Sequence, residues 1–148
     1  MKAPAVFSTI LFVFFAGCSS VPEPDRDGDD RFPASTPYGD KVIHLKIPPR
    51  LSQLEIEQAI LNAAVDNRWQ VMDTGTVDGA GMVEMRRKTT FAETTFTFLF
   101  RRDLIEGFSD SFSLDITGKP TRRYTPPIRI DTIRDSIREN LEAAMAGY

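Results

Sequence analysis

The order of hydrophobic spacings along residues 41–148 is the feature that most constrains the fold. Apolar residues alternate with polar ones over 41–47, follow a three-and-four spacing over 53–67, and alternate again in four later segments. A second three-and-four spacing covers 132–146. Alternation is typical of strands and the three-and-four spacing of amphipathic helices. These 108 residues suffice for one small domain.

The first helix, predicted from Gln53 to Asn67, is the best-specified element. Ser52-Gln-Leu-Glu55 is a capping box, in which the Ser52 hydroxyl and the Glu55 carboxylate satisfy free backbone N–H groups. A single apolar stripe then follows the helix. It consists of Ile56, Ala59, Ile60, Ala63 and Ala64.

Four strands are predicted between the two helices. The first three cover 68–73, 82–88 and 92–100, and Gly75 and Asp78-Gly79 mark a turn between the first two. The fourth is lined by Phe108, Phe112, Leu114 and Ile116, and Asp110 interrupts it. Glycine and prolines between Gly118 and Pro127 predict an irregular connection. The second helix is predicted over 132–146.

The N-terminal residues predict a cleaved signal peptide, which we assign to residues 1–17. Lys2 precedes an apolar run from Ala5 to Phe15, which is shorter than the roughly 20 residues that a bilayer span needs. The small pair Ala16-Gly17 precedes Cys18, the only cysteine. This motif resembles a lipobox, which implies that Cys18 is lipidated and anchors the chain in a membrane. Ser19 resembles the signal for outer-membrane delivery.

Residues 18–40 are predicted to be an acidic, disordered linker. They contain six acidic and two basic residues, several prolines and few apolar residues. The run from Asp25 to Asp30 is rich in carboxylates, but it lacks the glycine and glutamate positions of an EF-hand loop. We therefore interpret the run as solvated linker. The domain begins, on this prediction, at Lys41.

The whole pattern predicts an α+β domain of order β-α-β-β-β-β-α, in two layers, with an antiparallel sheet and both helices on one face. This topology resembles the TATA-binding-protein-like and helix-grip folds found in several outer-membrane assembly lipoproteins. The sequence over 51–146 is also similar to small uncharacterised proteobacterial lipoproteins, through Ala59-Ile60, Arg68-Trp69, Phe96-Thr-Phe-Leu-Phe and Asp110-Ser111. The resemblance implies a compartment and a shape, and no functional residues.

Catalytic and metal chemistry find little support in the sequence. His44 is the only histidine, and its place in an alternating strand favours a hydrogen-bonded or solvent-facing imidazole over a catalytic one. Zinc would need three or four clustered ligands. Asp110 and Ser111, with Asp115 nearby, could serve glycoside chemistry, but a hydrogen-bonded structural role is favoured. We expect no enzyme, no cofactor and no metal.

Basic residues are the remaining candidates for a site. One group ends the strand over 82–88 and the other follows the fourth strand, and both are predicted at the same end of the sheet. We call the whole set the basic rim: Arg86, Arg87, Lys88, Lys119, Arg122 and Arg123. Three interpretations stay open, namely a solvated rim, a site for anionic headgroups or peptidoglycan carboxylates, and a surface on which the acidic linker folds back. Nucleic acid is not an expected partner, because the domain is neutral and the compartment is wrong.

The sequence therefore predicts an outer-membrane lipoprotein whose periplasmic domain binds a partner. The leading hypothesis is an envelope-assembly or protein-interaction module that uses the open sheet face or the basic rim. The alternative is a carrier for a hydrophobic or lipid ligand in a cavity between sheet and helix.

Overall fold

The computed structural model describes residues 34–47 and 49–147. The predicted signal peptide, Cys18 and the linker as far as residue 33 lie outside the described residues. Within the described chain, six strands and two helices confirm the α+β class. They are β1 (Asp40–Lys46), α1 (Gln53–Asp66), β2 (Gln70–Val77), β3 (Ala80–Lys88), β4 (Ala92–Phe100), β5 (Leu104–Leu114), β6 (Pro120–Arg123) and α2 (Pro127–Ala146).

The strands form one antiparallel sheet in the order β1-β5-β4-β3-β2, and β6 also pairs with β5. β1 pairs with the first half of β5, where Lys46 lies opposite Leu104. β6 pairs with the last part of β5, where Arg123 lies opposite Phe112. Because β4 occupies the other edge of β5, β1 and β6 lie end to end along the same edge. β2 forms the far edge of the sheet.

The hydrophobic core lies between one face of the sheet and the two helices. Phe96, Phe98 and Phe100 of β4 are at most 1% exposed and pack with the apolar stripes of both helices. These stripes contain the fully buried residues Ile56, Ile60, Ile133 and Ile137. The predicted two-layer packing is therefore observed. Neither of the two described helices combines the length and the apolar character that crossing a membrane requires.

The strand register assigns each side chain to a face. Directly opposed residues of an antiparallel pair share a face, and successive residues alternate between faces. Phe96 lies opposite Ser109, so Ser109 faces the helices while Phe108 and Asp110 face away from them. We call the face that points away from the helices the open face.

The N-terminus of α1 confirms the predicted capping box. The Ser52 N–H donates to Glu55 Oε2 at 2.7 Å, and the Glu55 N–H donates to Ser52 Oγ at 3.3 Å. The helix ends at Asp66, with Asn67 as its C-cap. This element needs only local interactions, which is why the sequence predicts it so closely.

The segment predicted to be irregular contains an additional strand and the first turn of α2. β6 begins at Pro120, at the edge of the sheet, where proline needs no ladder partner for its nitrogen. α2 begins at Pro127, five residues before the predicted start, with Pro126 as its N-cap. A proline is compatible with the first helical position, because a backbone N–H at this position would have no intrahelical partner and its absence costs no hydrogen bond. The prediction of an irregular connection here was wrong.

Two further details of the predicted meander were also wrong. Gly75 lies inside β2, and the turn consists of Asp78-Gly79 alone, with φ values of 50° and 77°. Such positive φ values suit the tight turn of a two-residue hairpin. Ile116 lies beyond the end of β5 and is 99% exposed, so it does not belong to the fourth strand of the meander.

Ser111 of β5, and Asp115 just after this strand, both have hydrogen-bond partners. Ser111 is buried on the helix face, and its hydroxyl lies 2.5 Å from that of Ser109, which in turn lies 2.6 Å from Thr125 Oγ1. Buried hydroxyls need such partners to replace the hydrogen bonds to water that they lose on folding. Asp115 accepts hydrogen bonds from the Thr117 and Lys119 N–H groups in the turn before β6.

The domain begins before the predicted boundary at Lys41. Tyr38 contacts Phe108 on the open face, with 5.8 Å between ring centroids. Gly39 is buried with φ at 102°, and a Cβ at this position would lie 2.1 Å from the Ser109 carbonyl oxygen. Only glycine fits this close backbone approach. The end of the predicted linker, residues 34–40, is therefore part of the folded domain.

Candidate functional site

The basic rim lies at one end of the sheet, but strand alternation divides it between two faces. β3 ends at Lys88, β4 begins beside it, and the turn between β5 and β6 lies at the same end. Arg86 and Lys88 face the open side, whereas Arg87, opposite Thr94, faces the helices. The six residues therefore do not form one continuous basic surface.

Carboxylates compensate the open-face part of the basic rim. Glu93 lies 3.7 Å from Arg86 Nε and 3.4 Å from Lys88 Nζ. Exposed pairs of this kind contribute about 0–1 kcal/mol each. They reduce the positive potential that a ligand would meet on this side.

Arg123 connects β1, β5 and β6. Its guanidinium lies 3.3 Å from Asp40 of β1 and 2.9 Å from Asp110 of β5, and it also lies over the Phe112 ring. Burial raises the pKa of Asp40, but hydrogen bonds from Ser35 and the charge of Arg123 outweigh burial and hold it below its ordinary value. Arg123 thus links the ends of β1 and β6, and the last residue of the predicted linker contacts the basic rim.

The remaining basic-rim residues are differently placed. Lys119 is exposed in the turn before β6, and the Arg122 guanidinium lies 5.3 Å from the centre of the Tyr124 ring. Arg87 donates to the Asn67 carbonyl oxygen at the end of α1, at 3.3 Å. Arg129 of α2, which no pattern in the sequence indicated, donates to the Arg87 carbonyl oxygen at 3.5 Å.

A groove of about 410 Å³ lies at the opposite end of the open face. We call it the open-face groove. Two turns frame it, the β2–β3 turn at Asp78-Gly79 and the β4–β5 turn at 101–103. The Arg101 guanidinium donates to the Asp78 carbonyl oxygen at 3.4 Å and so joins the two turns.

Apolar side chains supply the walls of the open-face groove. Leu99 of β4 and Leu104 of β5 are half-buried, Val77 lies on the β2 side, and Tyr38 lies on the β1 side. Beneath Tyr38, Phe108 is only 7% exposed. The walls are thus fixed by the sheet and by the chain that precedes β1, which gives a preformed surface of the kind that ligand and peptide sites use.

The charged residues of the open-face groove are mainly acidic. Among the described residues that line it, Asp78, Asp103 and Glu106 are acidic and Arg101 is the single cation. Glu106 forms an ion pair with Lys41, which lies on β1. This composition favours a partner segment that carries positive charge together with apolar side chains.

The open-face groove was not predicted at the level of residues. The open sheet face was proposed as a binding surface, but residues that are far apart in the sequence meet at the groove only through the β4–β5 register. His44, predicted to be hydrogen-bonded or solvent-facing, is exposed on β1 and lies opposite Glu106. The geometry of the open-face groove suits binding, since it places apolar walls beside fixed charges.

Comparison with known proteins identifies no relative: no family model, no curated protein and no solved structure matches this chain.

Proposed function

We propose that this protein is a lipid-anchored envelope lipoprotein that binds a partner protein through the open-face groove. Lipidation of Cys18 would hold the domain at the periplasmic face of the outer membrane, and the groove would receive an extended segment of the partner. The proposal depends chiefly on one observation, the coincidence of apolar walls and net acidic charge in a preformed groove of about 410 Å³.

The partner segment is expected to combine lysine or arginine with apolar side chains. Apolar residues would fill the space between Leu99 and Leu104, and cationic residues would approach Asp78 and Asp103. Complementary charge speeds association and disfavours acidic competitors. The linker of this chain has the wrong charge for the groove, because residues 18–33 carry five acids and two bases.

Packing in the core favours a binding module over the alternative of a hydrophobic-ligand carrier. Phe96, Phe98 and Phe100 are buried directly against the helix stripes. Phe108 and Phe112 lie on the open face and do not line the space between the sheet and the helices. We therefore assign binding to the surface of the sheet.

Site-specific photocrosslinking in cells tests the location of binding. Probes at Arg102 and Val77, beside the groove, should give a recurring protein adduct that maps to a cationic and apolar segment. A probe at Glu142, an exposed position on α2, serves as the control. Equal adducts from all three positions, or adducts that map to acidic segments, would contradict the proposal.

Mass spectrometry of the mature protein tests the anchor separately. The proposal predicts a chain that begins at Cys18 and carries a diacylglyceryl group, and Cys18→Ala should release the protein from the membrane fraction. A mature chain that retains residues 1–17, or membrane association that Cys18→Ala leaves unchanged, would remove this part of the proposal.

A further inference from the structure

A second cleft, of about 240 Å³, lies on the helix side of the sheet. It is lined by Trp69, Arg87, Ile128, Arg129 and Thr132, and we call it the arginine cleft. It lies across the sheet from the open-face groove, so it stands independently of the proposed function.

The two arginines of this cleft differ from the other half-buried arginines of the described chain. Arg86, Arg123 and Arg134 each have a carboxylate within 4 Å. Among residues 34–47 and 49–147, no carboxylate lies within ion-pair distance of Arg87 or Arg129. Two partly desolvated positive charges without a counter-charge are unfavourable, and a bound anion would relieve this cost.

Neutral acceptors hold both guanidiniums in place. Arg129 donates to the hydroxyls of Thr94 and Thr89 and to the Arg87 carbonyl oxygen, the last at 3.5 Å. Arg87 donates to the Asn67 carbonyl oxygen at 3.3 Å. Both residues line the same cleft, and burial, followed by the charge of Arg87, lowers the pKa of Arg129. These bonds orient the side chains without neutralising them.

We propose that the arginine cleft binds a phosphate monoester between Arg87 and Arg129. Such a group carries a charge between −1.5 and −2 at neutral pH and offers three acceptor oxygens, which match two planar guanidiniums. Trp69 and Ile128 provide apolar surface for the rest of the ligand. Two sources share this chemistry, a phosphatidic-acid-type lipid headgroup and a soluble phosphate compound.

Titration of backbone amides by NMR tests the site, with the full chain in an uncharged detergent. Inorganic phosphate should produce saturable shifts at Arg87, Arg129 and Thr132. Arg129→Lys, which keeps the charge and loses the planar fork, should weaken binding at least tenfold. Arg138→Lys, on the same helix and in an ion pair with Asp135, should leave the affinity unchanged.

A second variant keeps the test decisive if Arg129 is needed for folding. Thr132→Asp would place a carboxylate in the cleft, and we expect it to abolish phosphate binding while the chain remains folded. If short-chain phosphatidic acid shifts the same amides, the ligand is a lipid headgroup. If inorganic phosphate shifts them and phosphatidic acid does not, the ligand is a soluble phosphate compound. Absence of saturable shifts, or wild-type affinity in both Arg129→Lys and Thr132→Asp, would overturn the proposal.

Discussion

Truncation of one core phenylalanine distinguishes a packed interior from a ligand cavity. Phe98 is fully buried, its ring centroid lies 5.9 Å from that of Phe96, and its ring lies over Gly107. A Cβ at Gly107 would lie only 2.9 Å from Phe98 Cε1, which shows how closely the ring fits. Phe98→Ala would therefore leave a cavity that the surroundings cannot fill.

The loss of unfolding free energy expected for Phe98→Ala is large compared with the total stability of such a domain. Phenylalanine truncation in a packed core costs about 3–5 kcal/mol, from lost burial and from the cavity. Domains of this size have unfolding free energies of about 5–15 kcal/mol. Because each kcal/mol lowers Tm by about 4–8 °C, Phe98→Ala should lower it by at least about 12 °C.

Urea unfolding, followed by the fluorescence of Trp69, measures this loss. Trp69 is the only tryptophan, and its ring centroid lies 5.1 Å from that of Phe96, so its signal reports on the core. Phe91→Ala is a matched control, since Phe91 is 75% exposed and its loss should change stability by no more than about 0.5 kcal/mol. A loss below about 1 kcal/mol for Phe98→Ala, no greater than for Phe91→Ala, would refute a packed core.

Three further predictions test local features of the fold. Gly39→Ala and Gly79→Ala both place a side chain at positive φ, which costs about 1–3 kcal/mol. Gly39→Ala should destabilise the fold more, because only its Cβ would clash with neighbouring backbone. Equal urea midpoints for the two variants would contradict this. Ser52→Ala should cost about 0.5–2 kcal/mol in thermal unfolding through loss of the cap, and an unchanged Tm would contradict it. The pKa of Asp40 is lowered in the folded state, so ionised Asp40 adds at most about 1 kcal/mol to the free energy of unfolding. This stabilisation is present at pH values above the ordinary carboxyl pKa, and it is lost as the pH falls through the lowered pKa of the folded state. Arg123→Gln should reduce this acid-dependent loss of stability in urea titrations, and an identical pH profile in the variant would count against the ion pair.

Local signals explain what the sequence predicted well. The capping box at Ser52 acts within one helical turn, and the start of α1 was predicted to the residue. The bounds of β4 were also predicted to the residue, because three phenylalanines alternate within it and the chain breaks on both sides. Both elements depend on spacing along the chain, which a single sequence displays in full.

Non-local contacts explain what the sequence missed. β6 is short and begins with Pro120, so only its pairing with β5 makes it a strand. The start of α2 was missed because Pro126 and Pro127 also suit a loop, and only the observed backbone shows Pro127 at the first helical position. The position of Tyr38 on Phe108 is set by tertiary packing, which no pattern in 34–40 indicates.

For the candidate sites too, local spacing was predictable from the sequence and non-local packing was not. The placement of the basic rim at one end of the sheet followed from strand order. A period of two already implies that Arg87 points away from the face that Arg86 and Lys88 share. The approach of Arg129 to Arg87 depends on how α2 packs, and the open-face groove depends on register, so neither could be read from spacing.

The affinity of the crosslinked partner segment for charge-reversed variants tests binding at the open-face groove most directly. Asp103→Lys changes a groove carboxylate, and Glu142→Lys makes the same change in net charge on the exposed side of α2. Binding through the groove predicts at least tenfold weaker affinity for Asp103→Lys and unchanged affinity for Glu142→Lys. Equal affinities for the wild type and both variants would contradict binding at the groove.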